Sequence, residues 1–340
     1  MNKSKTLTTL LVAALVVLTA ISCSSSPNKT HAHEFDTAWT TDDNYHWHAC
    51  KVEGCKEVKD KAAHLEAWMY DEAASTGTSA KLNKVCPVCE KPLASQTLTE
   101  GFKVVSDAAG LKAAVLEDNC KIILNADIEL DDYLELSKDV VLYGNGKKLT
   151  IKCNQADYGA SGLYIKAPKK VEIRDLVVNA GSNYSAQTAL IYVHGCEADV
   201  EIMNVTLNCA PSNTITSPPI GIQNTYDAKG KFTVKDCLIS NAKYGMYFNS
   251  ISNSVIEGNT IDGTFYTGIA IAGDSDSYPC KNVTIKNNVL KDVASKNFEA
   301  IQYNCGIWIG KHTENVVESN NDITLAETCT NGKKVYIEGK

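Results

Sequence analysis

The residues best equipped for chemistry crowd into a short stretch near the N-terminus. Five of the seven histidines (His31, His33, His46, His48 and His64) fall there with Cys50, Cys55, Cys86 and Cys89. Trp39, Trp47 and Trp68, three of the four tryptophans, sit in the same stretch. Imidazole nitrogen and thiolate sulfur are the donors of a tetrahedral zinc site. A segment this small also needs a staple in place of a core, because its apolar content is too thin to offset the entropy of ordering it. The candidate metal ligands are His33, His46, Cys50, Cys55, His64, Cys86 and Cys89. Two partitions are open: one site made of the four cysteines, or two sites that divide the cysteines among the histidines. Paired disulfides are the alternative in an exported chain, but they give no reason for the HxH and HWH clustering. The expected ion is a structural Zn, since Cys-rich closed sites are structural and no H-E-x-x-H helix is present.

The spacing Cys50-x4-Cys55, thirty residues, Cys86-x2-Cys89 resembles a zinc ribbon. HEFDTAWTTDDNYHWHAC followed by His64 is similar to a repeat module of bacterial surface proteins, in which a leading His, an HW dipeptide, a Cys pair and a trailing His recur. The resemblance implies a spacer or recognition knob.

Downstream, the chain repeats one short phrase: VEIRDLVV from Val171, VEIMNVTL from Val200, FTVKDCLI from Phe232, SVIEGNTI from Ser254 and VTIKNNVL from Val283. Ile173, Ile202, Val234, Ile256 and Ile285 hold equivalent places, at intervals of 29, 32, 22 and 29 residues. Five residues on stand Val178, Leu207, Ile239, Ile261 and Leu290. Between these phrases lies a second one, a small residue followed by apolar-x-apolar, as in GMYF at Gly245 and GIAI at Gly268. Alternation at period two with Asn, Asp and Gly at the bends predicts strands, and the interval predicts a solenoid whose rungs must stack to share a core. Insertions such as 209–219 and 274–279 become outer loops. Residues 100–340 therefore resemble a right-handed parallel β-helix of the pectate-lyase-like superfamily. The fold class expected is all-β, with an N-terminal helical cap that begins at Ser106 and buries Leu111, Val115 and Leu116.

The N-terminus supplies an address. Lys3 and Lys5 precede an apolar run from Leu10 to Ile21 that is too short to span a bilayer stably. Ala20-Ile21-Ser22-Cys23 resembles the lipobox of bacterial lipoproteins, with Ala20 where Leu is usual, and implies lipidation of Cys23. The expected division is a signal peptide at 1–22, a polar tether at 23–30, the Cys/His module at 31–98 and the coil at 99–340.

A net charge of −7 with mixed signs offers no basic stripe to a phosphate backbone, so nucleic acid is not expected as a partner. Arg174 is the only arginine and sits in a repeat position shared with Met203, Lys235, Glu257 and Lys286, which marks it as a solvent-facing strand residue. Asp131, Asp132, Asp274 and Asp276 lie in turn-like sequence where Asp is favoured anyway; Ca would enter only with an enzymatic activity. No constellation commits the chain to catalysis. In the second phrase Tyr164, Tyr192, Gln223, Tyr247, Ala270 and Trp308 face outward, and rungs about 4.8 Å apart would stack them into a ladder. Tyr164, Tyr192, Tyr247 and Trp308 are thus candidate ligand-binding residues for sugar rings. The eight coil cysteines read as small buried fillers. The resulting expectation is a lipid-anchored bacterial surface protein, at the outer membrane or cell surface, whose coil binds extracellular glycan or another surface ligand. The alternatives are a secreted polysaccharide lyase or glycoside hydrolase, and a passive scaffold.

Overall fold

The structure, a computed structural model, describes residues 32–152, 162–181, 189–210 and 218–339. The apolar run, Cys23, the tether, His31 and Cys153 lie outside the described residues.

The chain forms two units, one of residues up to 67 with 83–96, the other of 68–82 with 97–340. Residues 68–82, expected within the module, thus group with the coil. Two things tie them there. The Trp68 amide donates to the Asp175 carboxylate at 2.8 Å and the Tyr70 amide to Asn145 Oδ1 at 2.9 Å. Ala80 and Leu82 also share an apolar cluster with Leu98, Ile123 and Tyr143.

The coil consists of three parallel sheets, each rung contributing one strand to each. Representative strands are Lys170–Arg174, Asp199–Met203 and Phe232–Lys235 in the first sheet, Val177–Ala180, Thr206–Asn208 and Leu238–Ala242 in the second, and Leu163–Ile165, Ala189–Val193 and Ile220–Asn224 in the third. Ile173, Ile202, Val234, Ile256 and Ile285 pair in succession and are fully buried, forming the interior column that their spacing predicts. Val178, Leu207, Ile239, Ile261 and Leu290 form a second column in the adjoining sheet. The small residue of the second phrase also has its reason here: a Cβ on Gly245 would lie 2.5 Å from the Gly268 carbonyl oxygen of the next rung.

Between first-sheet and second-sheet strands the backbone turns through one left-handed residue per rung: Asp175, Asn204, Asp236, Gly258, Asn287 and Asn320, all with φ between 51° and 68°. Asn and Asp tolerate that conformation better than other side chains. The residue after each bend turns inward. In early rungs it is Leu176 or Val205, buried in the main core; in later rungs it is Asn259, Asn288 and Asn321. These amides stack as a ladder. Asn259 Nδ2 donates to the Val234 carbonyl at 3.0 Å and to Asn288 Oδ1 at 2.9 Å; Asn288 Nδ2 repeats the pattern with the Ile256 carbonyl and Asn321 Oδ1. At the last of these rungs Asn321 Nδ2 donates to the Glu318 carboxylate at 3.3 Å. Buried amides are tolerable only when satisfied in this way.

The expected helix exists as Ala108–Ala114, but its cap is Asp107, whose carboxylate accepts from the Gly110 amide at 2.7 Å, one residue beyond Ser106. Leu111 and Val115 enter the core as expected, whereas Leu116 is 66% exposed, because the helix stops before it.

Candidate functional site

In the N-terminal unit, Thr40–Thr41, Tyr45–Ala49 and Val58–Ala63 form an antiparallel sheet, with an irregularity between His46 and His48. His46 lies on the middle strand and His64 follows the third. Cys86 and Cys89 occupy a tight turn: Glu90 has φ +60°, its amide donates to the Cys86 carbonyl at 2.8 Å, and the Cys86 amide donates to the Lys91 carbonyl at 2.9 Å. One donor atom from each of His46, His64, Cys86 and Cys89 lies within 4.8 Å of all the others. Cys89 Sγ is 3.5 Å from His64 Nδ1, and Cys86 Sγ is 3.8 Å from His46 Nδ1. His64 Nε2 donates to the Asp42 carbonyl at 2.9 Å, which leaves Nδ1 as the lone-pair nitrogen facing the sulfurs.

Electrostatics divide this group, favouring the ligating form at His46 and Cys86 and opposing it at His64 and Cys89. Burial, reinforced by the positive potential of His64 and His48, pushes the His46 imidazole down and favours its neutral form. The Asp42 carbonyl pulls His64 up. Burial alone would raise the Cys86 thiol, but the Cys89 amide and His64 outweigh it and the net shift is downward; Cys89 is pushed up by burial and by Cys86. Trp39 packs edge-on against His46, centroids 4.6 Å apart, and stacks on His48 at 3.9 Å.

A second group contains His33, Cys50 and Cys55, again within 4.8 Å, with Nδ1 of His33 lying 3.7 Å and 3.5 Å from the two sulfurs. His33 is exposed and the two thiols half-buried. The structure therefore divides the seven candidate ligands into two groups, and the arrangement it does not assemble is a single site of four cysteines. Both groups can hold a metal ion. Neither contains a carboxylate, and no disulfide joins the described cysteines.

On the coil, the expected ladder has the predicted register: Tyr164 pairs with Tyr192, Gln223 follows, then Tyr247, Ala270, Trp308 and Tyr336. Its rings are far less available than outward placement implied. Tyr164 and Tyr192 are 8% exposed and Trp308 9%; Gln223, Tyr247 and Tyr336 are half-buried. The rings cover one another, Tyr164 on Tyr192 at 5.9 Å, and Tyr244, Tyr266 and Tyr303 from neighbouring turns join the cluster. Those turn tyrosines lie outside the alternation, so strand periodicity could not reveal the cover.

Arg174 is a surface strand residue held by its neighbours: Glu172 accepts from its Nε at 2.9 Å and its Nη2 at 2.8 Å, and Glu201 lies 3.3 Å from Nη2. Asp276 pairs with His312 at 2.8 Å, and the Asp132 carboxylate accepts from the Tyr133 amide at 2.8 Å. Burial pushes the thiols of Cys237 and Cys305 up to about 12 and of Cys280 to about 11, so these remain protonated fillers.

Sequence reading missed one cleft. It has a volume of about 820 Å³ and lies along the second sheet, lined by Asn241, Asp262, Thr264, Phe265, Asp292, Ser295, Glu327 and Thr328 among others. Asp262 and Lys291 face each other in register, and Asn241, Gly263 and Asp292 each take positive φ, so the cleft follows a column of bulged positions. Among the described residues, the lining holds three carboxylates and no lysine or arginine. The signal available in sequence was weak: Asp262 and Asp292 sit in otherwise ordinary strand phrases.

The model of the right-handed beta helix region matches residues 161–339 of the chain. No curated protein matches it.

Proposed function

The chain belongs to the right-handed β-helix family, and from that premise we propose an exported, lipid-anchored glycan-binding protein whose N-terminal unit is held together by zinc. The observation that supports glycan binding most is the open cleft along the second sheet. Carboxylates, an amide and hydroxyls stand side by side in it, with the single ring of Phe265, which is the lining that sugar hydroxyls engage. Its acidic character favours neutral or amino sugars and disfavours uronates by like-charge repulsion. Tyr247 and Tyr336, the half-buried rings of the aromatic ladder, are the ladder rings best placed to meet a ligand; Tyr164, Tyr192 and Trp308 serve to stiffen the face. A glycan array probed with the full chain is the test. Asp262→Asn with Asp292→Asn should weaken binding by about tenfold or more, as expected for losing charged hydrogen-bond acceptors. Uronate-only binding would refute the sugar class, and no binding at all would favour the scaffold reading.

A glycoside hydrolase is the second reading, favoured by the same three carboxylates, since paired carboxyl groups are what glycosidic cleavage requires. Release of reducing ends that disappears in Asp292→Asn would establish it over simple binding.

The zinc reading concerns His46, His64, Cys86 and Cys89, a complete tetrahedral donor set of two imidazoles and two thiols. The ion's role is structural: it joins the sheet bearing His46 to the Cys86–Cys89 turn. Elemental analysis of the purified protein tests it. Lipid attachment at Cys23 is tested by fatty-acid labelling, which should vanish in Cys23→Ser.

A further inference from the structure

We propose that the cleft along the second sheet selects sugars that carry an ammonium group, and that Lys296 holds the place of that ammonium over Phe265 until the sugar displaces it. The inference rests on the reading of this cleft as a glycan site and names the class of sugar it takes.

Phe265 belongs to the lining and is half-buried. Lys296 Nζ lies over its ring, 5.1 Å from the centroid. The ring quadrupole attracts a cation in that position, which a neutral hydroxyl cannot reproduce. Around the ring stand Asp262, Asp292 and Glu327, all three exposed. Residues 211–217, which join the lining residues Ala210 and Pro218, contain no charged side chain. Lys291 stands in register with Asp262, so the fold already gathers two ammonium groups of its own beside these carboxylates. Carboxylates along a concave surface raise the local concentration of cations. An amino sugar supplies such a cation for the carboxylates and the ring, and hydroxyls for Asn241 and Thr328. A uronate would draw Lys296 off the ring and meet three charges of its own sign.

Lys296 is built to yield. Its amide donates to the Phe265 carbonyl at 3.0 Å, the Ser295 amide to the Thr264 carbonyl at 2.8 Å, and the Ala294 amide to Thr264 Oγ1 at 3.1 Å. Ala294 is held at φ +62°, a conformation that persists for alanine only where the surroundings impose it. The backbone beside Phe265 is thus fixed, while the Lys296 side chain is exposed on a flexible four-carbon stem. A cation over a ring at an exposed site is weakly held. Exchanging one ammonium for another leaves the charge at the ring unchanged and moves no proton.

The test titrates the full-length protein calorimetrically with a glucosamine oligomer and with its N-acetylated counterpart of equal length, at mildly acidic pH where the amines are charged. The charged oligomer should bind about tenfold tighter, as expected for added charged contacts, and the preference should shrink as salt is raised. Lys296→Ala should strengthen binding of the charged oligomer about two- to fivefold by removing the competing cation; weaker binding in that variant would make Lys296 a ligand contact and overturn its placeholder role. Phe265→Leu keeps apolar volume without the quadrupole and should narrow the preference by a similar factor; an unchanged preference overturns the part given to the ring. Equal binding of the two oligomers, or tighter binding of the N-acetylated one, refutes the ammonium class while the glycan reading stands. Binding of neither while another glycan binds does the same. Binding of no glycan at all defeats the glycan reading as well.

Discussion

The two units of this chain solve the same stability problem by opposite means. The coil distributes its stabilisation over repeated columns: Ile173, Ile202, Val234, Ile256 and Ile285 are equivalent, and each contributes burial of the same kind. In the N-terminal unit four side chains from three segments converge, and no neighbour duplicates any of them. The difference teaches how damage should spread. A lost methyl group in the coil is a local cavity. Under the proposed zinc reading, a lost thiol in the small unit removes the point through which its segments are joined.

The largest effect that tests this contrast is Cys86→Ser, which should unfold the N-terminal unit, since structural zinc contributes on the order of 10 kcal/mol of apparent folding energy. Fluorescence of Trp39 and Trp47 should redshift while the far-ultraviolet dichroism of the coil persists; loss of both together would break the comparison. Next in size is Asn288→Ala, the most exacting position in the coil. It strips a partner from the buried Asn259 amide groups, the Ile256 carbonyl and Asn321 Oδ1 at once. At about 1–3 kcal/mol for each buried group left unsatisfied, with partial relaxation, a loss of about 4 kcal/mol should appear in the urea midpoint. Ile256→Ala should cost about 3 kcal/mol through its cavity. A larger cost than that of Asn288→Ala would show that apolar columns, not the ladder, set the local limit.

The smallest effect is electrostatic. Burial alone would push the Glu172 carboxyl up, but Lys170 and Arg174 outweigh it and hold it below the usual range; Lys235, then Lys286 against a burial penalty, do the same for Glu257. A carboxyl lowered in the folded state contributes stability above its unfolded value, about 4.3, and loses it as pH falls through the lowered folded value. These groups are partly solvated, so about 1 kcal/mol or less is expected from each. Glu172→Gln with Glu257→Gln should lower stability at neutral pH by about 2 kcal/mol or less in total, leave it nearly unchanged below the lowered folded values, and so flatten the acid limb of the denaturation profile.

Much of the coil was legible because a two-residue alternation states which side a residue faces. That is why the interior columns and the ladder register could be read from Ile173, Val178 or Tyr192 alone. What alternation cannot state is what lies over a face: Tyr244, Tyr266 and Tyr303 come from turns and cover the ladder. It also cannot separate two adjacent asparagines. Asn287 bends the backbone at φ 56° and Asn288 turns into the core, though both follow one apolar strand and look alike in sequence. Ser106 and Asp107 pose the same problem, since either side chain can cap a helix and only backbone geometry chooses. In the small unit the donors were legible by type, but their partition depended on which strands pair, and spacing carries no record of that.

The amide ladder also gives the coil a direction. An amide both accepts and donates, so each Asn takes a hydrogen bond from the rung before it and hands one to the rung after it, whereas a carboxylate can only receive. The column beginning at Cys237, whose amide donates to Asn259 Oδ1, is thus a one-way relay that Glu318 terminates. Within the relay, lengthening by duplication keeps the pattern: a copied Asn288 rung would slot between its neighbours with every amide still matched. A copied Val205 rung inserted at the same point would leave amides facing hydrocarbon on both sides. Residue type in this one column thereby decides where the coil can grow.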